Sequence, residues 1–143
     1  MAALSSDLLH ATTVAIDGLA VVIEGASGSG KSDLALRLID RGAVLVSDDQ
    51  TLVLRAGLTV LARAPATIVG RIEVRGIGIL VVPHVSDVPV GLLVRVDGTV
   101  ERMPKRSVRT IAGVEVRQVA VDPFHASAPI KVELALRNPE TVE

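Results

Sequence analysis

The order of apolar and polar positions divides the first part of the chain into strand, strand and helix. The apolar run 19–24 predicts a buried strand, and 14–16 predicts a shorter strand joined to it by the turn Asp17-Gly18. Apolar residues recur with helical spacing over 31–41, and Gly42 predicts the end of that helix. We therefore expect a hairpin that leads through a glycine-rich loop into a helix.

The rest of the chain contains more strand signals than helix signals. Proline, glycine and Asp-Gly turns separate further predicted strands at 43–47, 51–55, 58–62, 72–74, 78–82 and 90–96. Residues 1–9 predict a short helix or a loose tail, whereas 114–121 and 130–136 fit either strands or a final helix. Because strands outnumber helices, we expect an α/β fold with a mixed β-sheet and few flanking helices.

The composition indicates an aliphatic core. Hydrophobic residues make up 49% of the 143 residues, and Phe124 is the only aromatic one. Valine, isoleucine, leucine and alanine favour buried strands that are covered by helices. The length suits one domain, so we treat 1–143 as a single domain.

Charge and cysteine content exclude several classes of partner. The net charge is −1, no basic stripe is present, and no aromatic platform could stack on bases, so nucleic acid is not expected as a partner. The chain has no cysteine, which fits the cytoplasm. The apolar runs are too short to cross a membrane, and no signal peptide is recognised at the N-terminus. We expect a soluble cytoplasmic protein.

Residues 25–32 carry a complete G-x-x-x-x-G-K-S pattern, the Walker A or P-loop motif. Its members are Gly25, Ala26, Ser27, Gly28, Ser29, Gly30, Lys31 and Ser32. In such a loop, backbone N–H groups and the N-terminus of the following helix bind phosphate. Lys31 is expected to contact the β- and γ-phosphates of a nucleotide, and the Ser32 hydroxyl is expected to bind Mg²⁺. The segment therefore predicts a nucleotide-binding site.

Two acidic residues, Asp48 and Asp49, follow the predicted strand after the helix. Because side chains alternate along an extended chain, one carboxylate can face the metal while the other faces an acceptor hydroxyl. The other interpretation is an exposed Asp-Asp turn.

A second cluster occupies 72–80, where Glu73 and Arg75 interrupt an apolar run and are expected on one face of a strand. Gly76 and Gly78 predict a close approach of ligand or backbone. The alternative is an exposed Glu–Arg pair on a surface strand.

Histidines and a basic segment offer weaker signals. His10 and His84 taken alone read as surface residues, and His125 lies in a loop that could be a lid or a substrate contact. The positive charges in 102–109 predict a solvated face, with contact to an acidic partner or to phosphate as the alternative.

These motifs together resemble the catalytic domain of the HPr kinase/phosphorylase family. The resemblance rests on 25–32, on Leu45-Val46-Ser47-Asp48-Asp49, and above all on Glu73-Val74-Arg75-Gly76-Ile77-Gly78-Ile79, which ordinary P-loop NTPases lack. Family members use ATP and Mg²⁺ to phosphorylate a serine of HPr, a phosphocarrier protein of the sugar phosphotransferase system, and many also catalyse the reverse phosphorolysis. The resemblance implies a fold similar to phosphoenolpyruvate carboxykinase around the phosphate loop, and a homo-oligomer, since the family forms hexamers.

The resemblance also implies roles for single residues. His10 matches an active-site histidine, and Asp49 matches the aspartate that accepts the serine proton. Asp48 would support the metal, Glu73 matches a magnesium ligand, and Arg75 would shape the same loop. We expect two differences from the family's usual long form: a short form without the N-terminal domain, and a segment 122–129 that contains no arginine where the family has a catalytic one.

Three functions follow from these observations. The leading one is an ATP- and Mg²⁺-dependent serine kinase acting on HPr or an HPr-like carrier, and the reverse phosphorylase reaction is an additional expectation. The second is a nucleotide-binding regulatory module with weak or lost catalysis, which the missing arginine favours. The third is a kinase for a small molecule. The kinase interpretation requires Lys31 and Asp49 to lie on the same side of the molecule.

Overall fold

The computed structural model describes residues 5–141 and has a mixed α/β fold with a curled sheet and two helices. The strands are Ser6–Leu9 (β1), Ala11–Ile16 (β2), Leu19–Glu24 (β3), Val44–Ser47 (β4), Thr51–Ala56 (β5), Thr59–Arg63 (β6), Arg71–Val74 (β7), Gly78–Val81 (β8), Val88–Arg95 (β9), Ser107–Ile111 (β10) and Val114–Ala120 (β11). The helices are Lys31–Asp40 (α1) and Ala128–Arg137 (α2).

Strand β3 lies in the interior of the sheet, between β2 on one side and β9 on the other. On one side β3 pairs antiparallel with β2, which pairs antiparallel with β4. On the other side β3 pairs parallel with β9, which pairs parallel with β11. The carboxyl ends of β3, β9 and β11 therefore meet at one edge, which is where ligands bind in open α/β sheets.

The sheet curls where β9 changes partner. Near its start, Val88 and Pro89 pair with β6, whereas its last three residues pair with β11. Strand β6 also pairs antiparallel with β5, which pairs antiparallel with β1. Because β5 returns toward β2, the Thr51 hydroxyl donates to the carbonyl of Ala11 at 2.9 Å. This curl brings the end of β4 and the start of β5 next to the start of β2.

Both faces of the central strands are buried, because successive side chains point to opposite faces. Val21 and Ile23 of β3 pack in a core beneath the two helices, with Leu34 and Leu38 of α1. Val22 packs in a second core inside the curl of the sheet. Every member of both cores is aliphatic, as the composition predicts.

Helix α2 is attached to α1 by polar contacts as well as by packing. The buried Glu133 carboxylate accepts from the Arg41 guanidinium at 2.8 Å, just after the end of α1. Arg37 of α1 donates to the backbone carbonyls of Pro123 and His125, which precede α2. The two helices thus hold the segment between β11 and α2 beside the start of α1.

The predicted first helix and the strands from β3 to β9 are confirmed to within two residues at each end, and the first strand of the predicted hairpin begins three residues earlier than expected, at Ala11. The two open choices are resolved as a strand at β11 and a helix at α2. One prediction was wrong: residues 6–9 form an edge strand, not a helix or a tail, whereas 1–4 lie outside the described residues. The predicted solvated face over 102–109 is confirmed for Arg102, Lys105 and Arg106, which are exposed, whereas Arg109 is partly buried in β10 and donates to Glu24.

Across residues 5–141, the model contains no helix with the length and apolar character needed to span a membrane.

Candidate active site

The loop between β3 and α1 needs glycine at two positions for different reasons. A Cβ atom on Gly25 would lie 2.6 Å from Ser29 Oγ and 2.8 Å from Val96, so the site has no room for a side chain. Gly30 has a φ of +100° and would place a Cβ atom 3.2 Å from Pro123. Both constraints keep the loop tightly folded over the N-terminus of α1.

The loop leaves several backbone donors available. Ser29 N–H donates to the Ala26 carbonyl at 3.1 Å, which closes a turn. Among the residues that the structure describes, the N–H groups of Gly28, Gly30 and Lys31 have no acceptor. The Ser29 hydroxyl is buried and also has no partner there. These donors, together with the N-terminus of α1, make a site suited to an anion.

Lys31 is the first residue of α1 and is only 7% exposed. Its ammonium group donates to the carbonyl of Gly25 at 2.8 Å and to that of Ala26 at 3.3 Å. A buried cation needs such partners, because desolvation without them is costly. The lysine therefore bridges the start of the loop and lies where a polyphosphate on the free amides would meet it.

Asp48, at the end of β4, joins three separate elements. Its Oδ1 atom accepts from the Ser32 hydroxyl at 2.7 Å and from the Thr12 hydroxyl at 3.1 Å. Its Oδ2 atom accepts from the backbone N–H of Glu73 at 2.9 Å. Asp48 is 7% exposed, so these donors compensate the burial of its carboxylate.

Asp49 differs from its neighbour in both burial and bonding. Its N–H donates to the Thr12 hydroxyl at 3.0 Å, and its φ is +65°, in the left-handed region. The side chain is exposed, and its carboxylate has no hydrogen bond or ion pair within residues 5–141. The pair thus divides into one buried, bonded carboxylate and one exposed carboxylate, and the Thr12 hydroxyl contacts both the Asp48 carboxylate and the Asp49 N–H.

Glu73 reaches the site through its backbone, while its own side chain is exposed. The predicted common strand face for Glu73 and Arg75 was wrong, because β7 ends at Val74 and Arg75 lies in the following turn. The predicted close approach of backbone at Gly76 and Gly78 was wrong too, whereas the approach of a ligand there stays a prediction. A Cβ atom would meet nothing within 4 Å at either glycine, and their φ values of +85° and +130° explain the residue type instead.

His10 lies in the bend between β1 and β2, near the start of the strand that carries Thr12. Its side chain is exposed and makes no hydrogen bond within the described residues. His10 therefore lies two residues from Thr12, which contacts Asp48, and its catalytic role stays a prediction. His84 packs beneath Gly70, and His125 contacts Asp122 at 3.3 Å.

Sequence reasoning missed a charged network on the other flank of the loop. Asp97, just after β9, accepts from the Ala26 N–H at 2.9 Å and from the Arg95 guanidinium at 3.0 Å. These two hydrogen bonds hold the pKa of the Asp97 carboxyl below its ordinary value of 3.8. Arg95 and Arg109 both donate to the same oxygen of Glu24, the last residue of β3. Asp97-Gly98 was interpreted only as a turn, although its position after a buried strand was the available signal.

The donor set next to the loop suits a hard cation. Ser32 Oγ and Asp48 Oδ1 are oxygen atoms 2.7 Å apart. Glu73 contacts Asp48 through its backbone N–H, and it carries a further carboxylate. No group of three or more His, Cys, Asp and Glu side chains gathers among the described residues. Mg²⁺ is commonly bound by one or two carboxylates together with substrate phosphates and water, so this smaller set fits it.

Comparison with known proteins finds curated relatives for about half of this chain. Curated relatives named HPr kinase/phosphorylase include one from Mycoplasmopsis pulmonis, 43% identical over 72 residues, which cover 50% of this chain and 23% of that protein. Another, from Aromatoleum aromaticum, is 52% identical over 73 residues, again 50% of this chain and 23% of that protein. The chain thus matches about a quarter of the length of these curated relatives.

A solved structure covers more of the chain. The HPr(Ser) kinase/phosphatase from Coxiella burnetii superposes with a TM-score of 0.81 at 28% identity, over 93% of this chain and 90% of that one. The family model described as the HPr serine kinase C-terminal domain matches residues 2–87, which is more than half of the chain and includes the loop, Asp48 and Glu73. The chain therefore belongs to the HPr serine kinase C-terminal domain family.

Proposed function

We propose that the chain is an ATP- and Mg²⁺-dependent serine protein kinase, with 1–143 as one P-loop catalytic domain and HPr or an HPr-like phosphocarrier as its acceptor. The observation that carries the proposal is the position of Asp48, which accepts from Ser32 of the loop and from the backbone of Glu73. Family membership and relatives named HPr kinase/phosphorylase support the reaction class.

The loop and Lys31 would hold the nucleotide. The polyphosphate tail would accept hydrogen bonds from the free amides that follow Gly25. Lys31 would exchange its two carbonyl acceptors for phosphate oxygens, because formal negative charge is a stronger partner than a carbonyl dipole. Positioning and charge neutralisation of this kind supply most of the catalysis in phosphoryl transfer.

Asp49 would act on the acceptor. The acceptor serine Oγ forms a bond to the γ-phosphorus, the bond from that phosphorus to the ADP oxygen breaks, and the hydroxyl proton goes to the Asp49 carboxylate. An exposed carboxylate without a bonding partner in residues 5–141 is free to take that proton. His10 would lie beside the acceptor, on the bend that leads into β2.

Ser32, Asp48 and Glu73 would hold Mg²⁺ against the phosphates. The bound ion would neutralise negative charge on the β- and γ-phosphates. The buried Asp48 is already oriented by Thr12 and Glu73, so its carboxylate needs little rearrangement.

Incubation of the purified chain with Mg²⁺, radiolabelled ATP and HPr tests this function. We expect label on one serine of HPr, loss of that label with Asp49→Asn, and no label on an HPr variant without the serine. A folded chain that binds ATP but transfers no phosphate contradicts kinase activity. Added inorganic phosphate then tests the reverse phosphorylase reaction, and sedimentation tests the hexamer that the family resemblance implies.

A nucleotide-binding regulatory module is the second candidate. It is favoured by the segment 122–129, which contains no arginine, whereas an arginine that stabilises transferring phosphate can be worth about 10³–10⁵ in rate. Arg37 contacts this segment, and its guanidinium is engaged with the carbonyls of Pro123 and His125. Partner binding that responds to ATP and is unchanged in Asp49→Asn would support this alternative.

A further inference from the structure

An open cavity of about 430 Å³ lies beside the loop, between residues 96–100 after β9 and residues 121–125 after β11. Its volume lies within the range typical of small-molecule sites. It borders both ends of the loop. Asp97 in its wall bonds to the N–H of Ala26, and Pro123 and Phe124 lie against Gly30. One ligand could therefore occupy this cavity and also reach the amides of the loop.

Phe124 is the only aromatic residue of the chain, and it is 77% exposed at this cavity. Its backbone is fixed, because its N–H donates to Asp122 Oδ1 at 2.9 Å and the preceding Pro123 is buried. The apolar ring takes no part in either core, and both cores consist of Ala, Val, Ile and Leu. An exposed ring on a rigid turn offers a flat face for stacking.

The order of the strands decides which part of a nucleotide reaches this cavity. Asp48 and Asp49 follow β4, which lies on the β2 side of β3. The cavity follows β9 and β11, which lie on the opposite side of β3. A polyphosphate tail that crosses the loop with its reacting end beside Asp48 therefore has its nucleoside end directed toward Phe124.

The polar side chains around the cavity already have partners. Asp97 accepts from Ala26 and Arg95 through its two oxygens. Asp122 accepts from the Phe124 N–H through one oxygen and contacts His125 through the other. Few side-chain groups are left to read the hydrogen-bonding edge of a base. Recognition here would rest on stacking, which every base supports.

We infer that this cavity is the nucleobase site, in which the base of the bound nucleotide stacks on Phe124. The hydrogen-bonding edge of the base contributes little to the choice between nucleotides. The inference rests on the proposed function, because it assumes that the loop binds the phosphates. It adds Phe124 as a residue that contacts the nucleotide, and it predicts that ATP and GTP bind with affinities within about threefold of each other.

A single-tryptophan variant tests the contact directly. The chain contains no tryptophan, so Phe124→Trp creates one fluorophore at the cavity. We expect ATP to quench this fluorophore, and tripolyphosphate, which has no base, to compete with ATP without quenching. The matched control is Leu58→Trp, which lies in the β5–β6 turn at a residue that is 89% exposed. Equal responses to ATP and tripolyphosphate at position 124 would overturn the inference.

Calorimetry separates the base from the phosphates. Phe124→Ala is expected to weaken ATP binding about tenfold and to leave tripolyphosphate binding within about twofold, whereas Phe124→Trp retains ATP binding. Leu58→Ala should change neither. If the wild-type chain binds both ligands and Phe124→Ala binds ATP as tightly, this inference alone is wrong. If the wild-type chain binds neither ligand, the proposed function fails and the inference fails with it.

Discussion

The Ser32 hydroxyl donates to Asp48 Oδ1 at 2.7 Å, which connects the first turn of α1 to the end of β4. The same carboxylate receives the Thr12 hydroxyl and the Glu73 N–H, so donors from a helix and two strands meet on one buried anion. Its geometry is thus fixed by the fold before any ligand contributes.

The first prediction separates the structural role of Asp48 from its charge. Asp48→Ala leaves three donors without their acceptor and should lower the free energy of unfolding by about 2–4 kcal/mol. Asp48→Asn can still accept from the Glu73 N–H, while its amide donates to the two hydroxyls, so it should retain most of the stability and lose Mg²⁺-dependent transfer. Urea unfolding and the HPr-labelling assay measure the two effects. Equal instability of both variants would show that the charge itself stabilises the fold.

The second prediction concerns Lys31. Lys31→Ala removes the cation that faces the loop and should weaken ATP binding by about tenfold or more, because a charge-assisted hydrogen bond is lost. Calorimetric titration with Mg-ATP measures the change. Lys131→Ala, which removes an exposed lysine on α2, serves as the matched control and should bind ATP normally. Similar losses of ATP affinity in the two variants would contradict a specific role for Lys31 and would point to the overall charge of the protein.

The third prediction concerns Asp49. Asp49→Asn should reduce the rate of transfer to HPr by about 10²–10⁴-fold, the usual range for a general base, and leave ATP affinity nearly unchanged. Asparagine tolerates the positive φ at this position, so the backbone should be preserved. Steady-state kinetics and calorimetry give the two quantities, with Asp40→Asn at the end of α1 as control. A fall in ATP affinity as large as the fall in rate would contradict the assigned role.

The fourth prediction is a pH dependence from Asp97. Its pKa is lowered in the folded protein by the Ala26 N–H and by Arg95, so the ionised carboxylate stabilises the fold above the ordinary pKa of 3.8. That contribution should disappear as the pH falls below 3.8 and the carboxyl is protonated. The difference in urea midpoint between wild type and Asp97→Asn should therefore be constant between about pH 6 and 8 and shrink in acid.

Asp17→Asn supplies the comparison for this experiment. Asp17 also has a lowered pKa, through its ion pair with Arg137, but it lies in the β2–β3 turn away from the loop. Both variants should show the acid convergence, and Asp97→Asn alone should weaken ATP binding. A stability difference for Asp97→Asn that persists undiminished at pH 3 would show that its ionisation is not the cause.

The elements that sequence reasoning predicted correctly are those defined by local patterns. Strand β3, the loop and α1 are adjacent in sequence, and the change from apolar run to glycines to helical spacing marks each of them. Strand β1 has no such pattern, because three of its four residues are exposed and it is ordered by pairing with β5. Strand β10 was concealed by its charges, since Arg109 looks like a solvated residue until Glu24 is placed beside it.

The same distinction applies to the site. Ser32 lies in the motif and donates to Asp48, which follows the next buried strand, so local patterns marked both residues. Asp97 lies 71 residues from its partner Ala26, so only the pairing of β9 with β3 reveals the contact. The local pattern at Asp97 therefore marks the end of a strand, and its partner in the loop follows only from the long-range pairing.

The pairing of β3 with β9 also limits how this chain can be recombined with its relatives. The family match ends at residue 87, yet Glu24 and Ala26 inside it are bonded to Arg95 and Asp97 outside it. A chimaera joined at that boundary would take the loop from one parent, and the residues at 95 and 97 that contact it from the other. Crossovers should therefore be moved downstream of β9, and natural substitutions at Glu24 and Arg95, which contact each other through their side chains, are expected to co-vary.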